Sequence, residues 1–313
     1  MSTARNEHER VVDAPAAVVG ALLDRLSGPD DPLFPTPVWP AMVLDGPLAV
    51  GARGGHGPVR YEVDAYEPGR RVRFAFTAPD EGFHEVSVEP AGPHRCRVRH
   101  VLRTRLRGKD RLLWPTVVRP VHEAMVGETL DNIERAATGT LAAPARRSPR
   151  VRLLHRLGWA RPESVGVPEA ARLIREAVPD PGYRDAYRME LLPGLPREPR
   201  AWAGVLRGAF PVVAEEGGEL LMDVSGSGRT PGLTARASVL VDERHVTLCT
   251  AVRADTARGR LYWGTVRRVH PFMARTMLRR VHRGLALAAP SAAERENGGA
   301  HSPVSHPSHL VSG

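Results

Sequence analysis

Residues 111–125 read RLLWPTVVRPVHEAM, and residues 260–273 read RLYWGTVRRVHPFM. With one gap, both segments contain Arg-Leu-x-Trp-x-Thr-Val followed by Arg-x-Val-His-x-x-Met. Each segment follows a set of alternating strand patterns and begins the last helical pattern of its half of the chain. The repeat therefore predicts two tandem domains of similar fold.

The segments that precede each copy alternate between apolar and polar residues, which is typical of half-buried antiparallel strands. In residues 95–106, arginines occupy five of the six odd-numbered positions and lie opposite a face that carries Cys96, Val98, His100 and Leu102. A helical pattern begins after Pro15, and a long one spans about 115–137. The second half repeats this plan and ends in a helical pattern over about 265–287.

Composition excludes several classes of protein. The chain has 313 residues, of which 42% are hydrophobic and 25% charged, as expected for about two globular domains. Two distant cysteines, Cys96 and Cys249, exclude a disulfide framework and a cysteine-rich zinc site. No apolar run is long enough to span a membrane, and no secretory signal is visible at the start. A cytoplasmic location is therefore expected.

The net charge of +9 comes almost entirely from arginine, since the chain has 43 arginines and only Lys109. We interpret this bias as a property of a GC-rich coding sequence. Aromatic residues make up only 5% of the chain, so the aromatic side chains that accompany basic residues in nucleic-acid-binding proteins are scarce. No nucleic-acid partner is expected.

Two family resemblances follow from local motifs. Residues 7–138 resemble the SRPBCC superfamily, the START-like and polyketide-cyclase-like group, in Val12-Asp13-Ala14-Pro15, Gly57-Pro58-Val59-Arg60-Tyr61, Gly82-Phe83-His84 and the helix from Trp114 to Arg135. Residues 179–288 resemble the domain-of-unknown-function family 2867 in Tyr183-Arg184-Asp185-Ala186-Tyr187, in residues 233–239 and 246–248, and in the segment from Gly259 to His270.

These resemblances imply an α+β fold class with two tandem helix-grip (START-like) domains, each an antiparallel sheet closed by a long C-terminal helix. We expect the SRPBCC/START-like domain at 7–138, a linker with a short helix at 139–178, the second domain at 179–288 and a disordered tail at 289–313. The SRPBCC resemblance implies binding of a hydrophobic, lipid- or polyketide-like small molecule in the cavity of the first domain. It brings no catalytic motif.

Sorting the strand and helix faces gives candidate ligand-binding residues. In the first domain the apolar faces carry Tyr61, Phe74, Phe76, His84, Cys96, His100, Trp114, His122 and Met125. In the second domain the weaker candidates are Thr250, His270 and Met273. Three imidazoles in an apolar cavity could orient a ligand or move protons, because histidine titrates near neutral pH. The alternative is that each histidine is buried with a backbone partner. The spacing of the histidines matches no metal-binding motif, so neither metal nor cofactor is expected.

Three functions remain open from the sequence alone. The first is non-catalytic binding of a hydrophobic small molecule. The second is an enzyme of the polyketide cyclase or dehydratase type, and the third is an interaction module with collapsed cavities. A cavity of about 300 Å³ or more in the first domain would distinguish the first two from the third.

The solvent stripes of the two long helices carry opposite charge. The first stripe has Glu123, Asp131 and Glu134, and the second has Arg268, Arg275, Arg279 and His282. Two solvated faces are the simplest interpretation. The alternatives are intramolecular docking of the acidic and basic faces, or attraction of the second helix to an anionic surface.

Overall fold

A computed structural model describes residues 2–203, 210–225 and 232–299. Two compact units are present: one contains the described residues up to Leu157 and those from Pro290, and the other contains Gly158–Ala289. The predicted boundaries at 139–178 and 179–288 are not tested independently and stay predictions. No described helix has both the length and the apolar character needed to cross a membrane.

The first unit contains an antiparallel sheet in the order β1-β7-β6-β5-β4-β3-β2. Its strands are β1 Ser2–Val12, β2 Val43–Leu44, β3 Arg53–His56, β4 Val59–Glu67, β5 Arg71–Phe76, β6 Gly82–Gly92 and β7 Arg95–Leu106. The alternation predicted for β7 is confirmed, since Cys96, Val98 and His100 are buried while Arg95 and Arg97 are exposed. The inner face of this sheet forms the main core of the unit.

A long helix closes the sheet. It begins as α2 Asp110–Leu113, continues through a π-helical turn at Trp114–Val118 and becomes α3 Arg119–Thr138. Val126, Leu130 and Ile133 of α3 are spaced three or four residues apart and are buried against the sheet. Gly139 then adopts a left-handed conformation with φ 73°, which ends the helix. This order of sheet and helix is the helix-grip fold that was predicted.

The first helix of this unit, α1 Ala16–Leu23, is fixed to the β4–β5 turn by a close backbone contact. A Cβ atom at Gly20 would lie 2.2 Å from the Gly69 carbonyl oxygen, so only glycine allows this approach. Asp24 completes the contact because its Oδ1 accepts hydrogen bonds from the Tyr66 hydroxyl at 2.9 Å and from Gly69 N–H at 2.8 Å.

The segment over 139–178, predicted to be a linker with a short helix, contains more regular structure than the one helix expected. The segment contains α4 Pro149–Gly158, β8 Glu163–Val165 and α5 Arg172–Ala177. Residues 139–148, called the strap below, run back along α3. Backbone N–H groups of the strap donate to carboxylates of α3, from Ala142 to Glu134 at 3.1 Å and from Ala145 to Asp131 at 2.7 Å. An Ala/Pro/Arg composition cannot reveal such contacts because they are made by the backbone.

The second unit contains an antiparallel sheet in the order β10-β11-β12-β13-β9-β8. The further strands are β9 Tyr183–Glu190, β10 Val212–Glu216, β11 Glu219–Asp223, β12 Leu233–Val241 and β13 His245–Ala254. The helices of this unit are α5, α6 Pro199–Ala203, α7 Ala257–Val266 and α8 His270–Ala288. The single helical pattern expected over 265–287 therefore corresponds to the end of α7 and to α8, with a break at residues 267–269.

Both faces of the second sheet are covered. One core contains Leu278 and Val281 of α8, and the opposite core contains Ile174 of α5 with Cys249 and Ala251 of β13. The carboxylate of Glu219 is only 1% exposed and accepts N–H groups from the first turn of α5. This contact fixes α5 on the sheet.

The tail expected to be disordered at 289–313 is partly helical. Helix α9 spans Ala292–Gly299, and Ala293 is completely buried. Glu294 forms an ion pair with Arg135 of α3 at 3.2 Å. Burial of one small residue and one charge contact therefore hold a segment whose composition indicated disorder. Residues 300–313 of the expected tail lie outside the described residues.

Three members of the charged helix stripes, Asp131, Glu134 and His282, are engaged within their own units rather than solvated. Asp131 is 6% exposed and pairs with Arg10 at 2.7 Å, while Glu134 also contacts Arg10, at 3.0 Å. His282 of α8 is 2% exposed. Its Nδ1 accepts from Trp159 Nε1 at 3.2 Å, and its Nε2 donates to the Glu190 carbonyl at 2.8 Å. Asp131 and His282 were therefore wrongly placed on solvent faces.

Candidate functional site in the first unit

Aromatic and imidazole rings line the inner face of the first sheet. His84 of β6 stacks on Phe74 of β5 with 4.7 Å between ring centroids, and it meets Tyr61 of β4 edge-on at 5.0 Å. Phe76 lies 5.7 Å from His84, and His100 of β7 lies 5.9 Å from it. The strand register creates this cluster, because Phe74 pairs with His84 across β5 and β6.

Imidazoles form a continuous row through this cluster, which we call the histidine row. It consists of His56, His84, His100, His122 and His8, in that spatial order. The centroid distances between neighbours are 6.4, 5.9, 5.1 and 6.4 Å. His122 belongs to α3 and His8 to β1, so the row connects the sheet to the closing helix.

Asn6 of β1 holds one end of the histidine row. Its Oδ1 accepts from His8 Nε2 at 2.8 Å and from His122 Nδ1 at 3.0 Å, and its Nδ2 donates to Glu123 Oε1 at 3.2 Å. Because the amide oxygen can only accept, these contacts place the proton of neutral His122 on Nδ1. His122 therefore has a structural partner. At the other end, His56 Nδ1 lies 3.4 Å from the Tyr61 hydroxyl.

The middle of the row is different, because two buried ring nitrogens have no hydrogen-bond partner among the residues that the structure describes. They are Nε2 of His84 and Nδ1 of His100. The two residues are 6% and 7% exposed, respectively. A buried polar atom without a partner costs about 1–3 kcal/mol, and such atoms are uncommon in folded proteins.

Burial keeps these histidines neutral. It lowers the pKa of His84, His100 and His122 well below the ordinary value of 6.5, and neighbouring imidazoles add to the effect. Burial also lowers the pKa of His56 to about 4. At neutral pH each ring therefore presents one N–H donor and one nitrogen acceptor.

The remaining predicted residues lie around the cluster rather than in the histidine row. Trp114 packs with Ala4 and Leu102 in a small separate cluster that Phe76 also touches. Cys96 is completely buried in the core, and burial raises the pKa of its thiol. Met125 is partly buried against the same core.

A cavity of about 220 Å³ lies elsewhere in the first unit, between α3 and the strap. Glu123 and Glu128 of α3 line it on one side, and Arg147 and Val151 line it on the other. None of the predicted ligand-binding residues lines this cavity. Its volume is below the value of about 300 Å³ that would distinguish a ligand-binding domain or an enzyme from an interaction module.

Three members of this site were missed from the sequence: Asn6, His8 and His56. Asn6 and His8 alternate with Ala4 and Val12 on the inner face of β1, and extending the Val11-Val12 strand pattern backwards would have found them. His56 lies in the glycine-rich segment, which forms β3. There a Cβ atom at Gly54 would lie 1.9 Å from the Val43 carbonyl oxygen, so glycine allows the strands to meet.

No group of three or more His, Cys, Asp or Glu side chains is arranged to hold a metal ion in the described ranges 2–203, 210–225 and 232–299. The histidine row is extended, with successive rings 5.1–6.4 Å apart, whereas metal ligands must converge on one point.

The second unit brings together two of its three candidates. His270 Nε2 lies 3.2 Å from Thr250 Oγ1 and 3.4 Å from Asp185 Oδ2. Asp185 pairs with Thr250 across β9 and β13, so the strand register places both beside the start of α8. Met273 does not belong to this group, since it is 54% exposed.

Asp185 and Tyr183 were missed here, although the alternation of Tyr183, Asp185 and Tyr187 along β9 places them on one face. Burial opposes ionisation of Asp185, but hydrogen bonds from His270 and Tyr183 outweigh it and lower the pKa of the carboxyl below its ordinary value. Rings of Tyr183, Trp263 and His270 pack against each other with centroids 5.0–5.8 Å apart.

Comparisons with known proteins concern the fold. No family model matches the chain, and no curated protein matches it. Among solved structures, a norcoclaurine synthase point mutant from Thalictrum flavum in complex with a transition-state analogue is similar at 12% identity and a TM-score of 0.36, covering 44% of this chain and 96% of that one.

Two further structures are of bacterial proteins. One, from Thermobifida fusca, has 20% identity and a TM-score of 0.34, covering 43% of this chain and 95% of that one. The other, a conserved protein of unknown function from Enterococcus faecalis, has 14% identity and a TM-score of 0.35, with 50% and 82% covered. The family resemblances stay predictions, and function must be argued from the side chains.

Proposed function

We propose that the first unit binds an apolar small molecule with a hydroxyl or carbonyl group, which bonds to the middle of the histidine row. The observation that carries the proposal is the pair of buried, unpartnered nitrogens on His84 and His100. A ligand that supplied their missing hydrogen bonds would remove a cost of about 1–3 kcal/mol for each nitrogen. The proposal agrees with what the SRPBCC resemblance implies.

The surroundings of these nitrogens favour an apolar ligand. Phe74, Tyr61 and Phe76 border His84, so the body of the ligand would meet ring faces while its polar group meets a nitrogen. Apolar walls with a small number of placed polar groups are typical of small-molecule sites.

The direction of the pKa shifts favours recognition over acid–base catalysis. A general base works best when its pKa is near the working pH. The pKa values of His84 and His100 lie well below that range, which makes these rings weak bases but suitable hydrogen-bonding groups.

The π-helical turn is our candidate for the entrance. It spans Trp114–Val118, and Trp114 is buried. Leu112, two residues before the turn, is 75% exposed. π-Helical turns are rare and occur frequently at functional sites. This turn lies in the first part of the closing helix, and its Trp114 packs in the small cluster that Phe76 also touches.

Native mass spectrometry of the freshly purified full chain tests the proposal. We expect the wild type to carry an apolar molecule, or to bind the fluorescent probe anilinonaphthalene sulfonate when it is added. The double variant His84→Phe/His100→Phe keeps the ring packing but removes both nitrogens, and it should bind at least about tenfold more weakly, as loss of one to two hydrogen bonds predicts.

His94→Phe is the matched control, because His94 is exposed on the β6–β7 turn. It should bind like the wild type. Unchanged binding by the double variant, or a wild type that neither carries a molecule nor binds the probe, would overturn the proposal. Thermal unfolding of each variant shows whether a loss of binding reflects a loss of folding.

A further inference from the structure

The corner between α7 and α8 in the second unit exposes large apolar side chains. Leu261 is 77% exposed and Phe272 is 74% exposed, and Tyr262, Val269 and Met273 are each about half exposed. Phe272 and Met273 are adjacent on α8, and Val269, the residue just before the helix, lies three and four residues ahead of them, which is the spacing of one helix face. Ala274, Leu278 and Val281 form the buried face of this helix. Five large exposed apolar side chains within residues 261–273 indicate an interaction site.

The internal repeat supplies an independent observation. Leu261 corresponds to Leu112 in the first segment, and these leucines are 77% and 75% exposed. The neighbouring tryptophans behave in the opposite way, since Trp114 is buried and Trp263 Nε1 is buried. Both segments thus turn tryptophan inward and leucine outward. An exposed leucine at this position is therefore a feature that both repeat segments share.

The charge around this corner is of one sign. Residues 256–289 contain eight arginines and no aspartate or glutamate. Arg258, Arg260, Arg267 and Arg268 are exposed, and none of them forms an ion pair with any carboxylate among the described residues. Arg268 lies in the turn before α8, four residues before Phe272, and Arg275 lies on α8, three residues after it, so basic residues stand on both sides of Phe272 in the sequence.

We propose that the α7–α8 corner docks on an anionic lipid surface, with Leu261 and Phe272 entering the headgroup region and the arginines contacting lipid phosphates. Amphipathic helices that bind membranes combine a basic polar face with exposed apolar side chains in this way. A second copy of the chain fits less well as the partner, because pairing two such corners would place the eight arginines of one copy against the eight arginines of the other. A nucleic acid would satisfy the arginines but leave the leucine and phenylalanine unexplained.

Flotation of the full chain with lipid vesicles tests the inference. We expect binding to vesicles of mixed phosphatidylcholine and phosphatidylglycerol, little binding to pure phosphatidylcholine, and loss of binding as NaCl is raised. Leu261→Ser/Phe272→Ser should weaken binding at least about tenfold, since each apolar side chain loses its burial. Arg267→Glu/Arg268→Glu should weaken it by a similar factor at low salt, because each arginine near an anionic surface contributes about fivefold.

Two control variants in the same unit match these changes. Val213→Ser alters an apolar residue on β10 that is 53% exposed, and Arg184→Glu reverses an exposed arginine on β9. Both should bind within about twofold of the wild type, a change expected of residues outside an interface. All substituted residues are exposed, so melting temperatures should stay close to the wild-type value.

Several results would overturn the inference. These are equal binding to neutral and anionic vesicles, wild-type binding by Leu261→Ser/Phe272→Ser, or no binding at low salt. A dimer in analytical ultracentrifugation that Phe272→Ser dissociates would assign the corner to a second copy instead. Binding to duplex DNA that the arginine variant abolishes and the apolar variant leaves intact would assign it to nucleic acid.

Discussion

His84 and His122 lie in the same row of rings but differ in their hydrogen bonds. His122 Nδ1 donates a hydrogen bond to Asn6 Oδ1 at 3.0 Å, whereas His84 Nε2 has no partner in the described part of the chain. Removing a partnered buried group costs stability, while replacing an unpartnered one by an apolar group of similar shape removes a cost. The two residues should therefore respond to substitution with opposite sign, although both were predicted to be ligand-binding residues.

We expect His122→Ala to lower the free energy of unfolding by about 1–3 kcal/mol, because Asn6 loses a partner and a space is left in the interior. His84→Phe should raise it by up to about 1 kcal/mol, since phenylalanine fits between Phe74 and Tyr61 without a buried polar atom. Urea unfolding of the two variants measures both changes. A stabilised His122→Ala would contradict the structural role of this histidine.

Acidic side chains of α3 hold the strap in place. Asp131 accepts Ala145 N–H and pairs with Arg10, and Glu128 binds Arg147 through Oε2 at 2.7 Å. Asp131→Ala would leave Ala145 N–H without its acceptor, and Arg10 would keep only its contact with Glu134. We expect a loss of about 2–4 kcal/mol, less than for a fully buried pair because Arg10 is one-fifth exposed.

Trypsin adds a local measurement to the unfolding experiment. In Asp131→Ala, cleavage after Arg146 and Arg147 should become faster than in the wild type, because the strap loses its contact with α3. Arg119→Ala is the control, since the Arg119–Glu123 pair is exposed and such pairs contribute no more than about 0.5 kcal/mol. Equal cleavage in Asp131→Ala and the wild type would show that the strap is held by other contacts.

The sequence predicted those elements whose contacts follow from local periodicity. Alternation identified the inner faces of the strands from β4 to β7, and the 3.6-residue period identified α3. Elements held by distant partners were missed. The strap is fixed by carboxylates on α3, and α9 by the burial of Ala293. In the candidate site, Tyr61, His84 and His100 were predicted because each lies on the apolar face of an alternating strand pattern. Asn6 and His56 were missed because they lie in segments of polar or glycine-rich composition.

Buried histidines of both units couple folding to pH. Burial lowers the pKa of His8, His56, His84, His100 and His122 in the first unit, and of His282 in the second. An unfolded chain takes up protons on these residues near pH 6.5, but the folded chain does not. Their contribution to stability is therefore complete above pH 6.5 and is lost as the pH falls toward the folded-state pKa values.

We expect the free energy of unfolding to fall steeply between pH 6.5 and about pH 4, the latter being the folded-state pKa of His56. A histidine that stays neutral in the folded state adds a slope of up to about 1.4 kcal/mol per pH unit, and His84 and His100 are the two buried members of the histidine row. Urea unfolding at a series of pH values measures the slope. His84→Phe/His100→Phe should make it shallower, whereas His94→Ala, which changes an exposed histidine, should leave it steep. A wild-type stability that stays constant from pH 7 to pH 5 would show that these imidazoles are not buried as neutral groups.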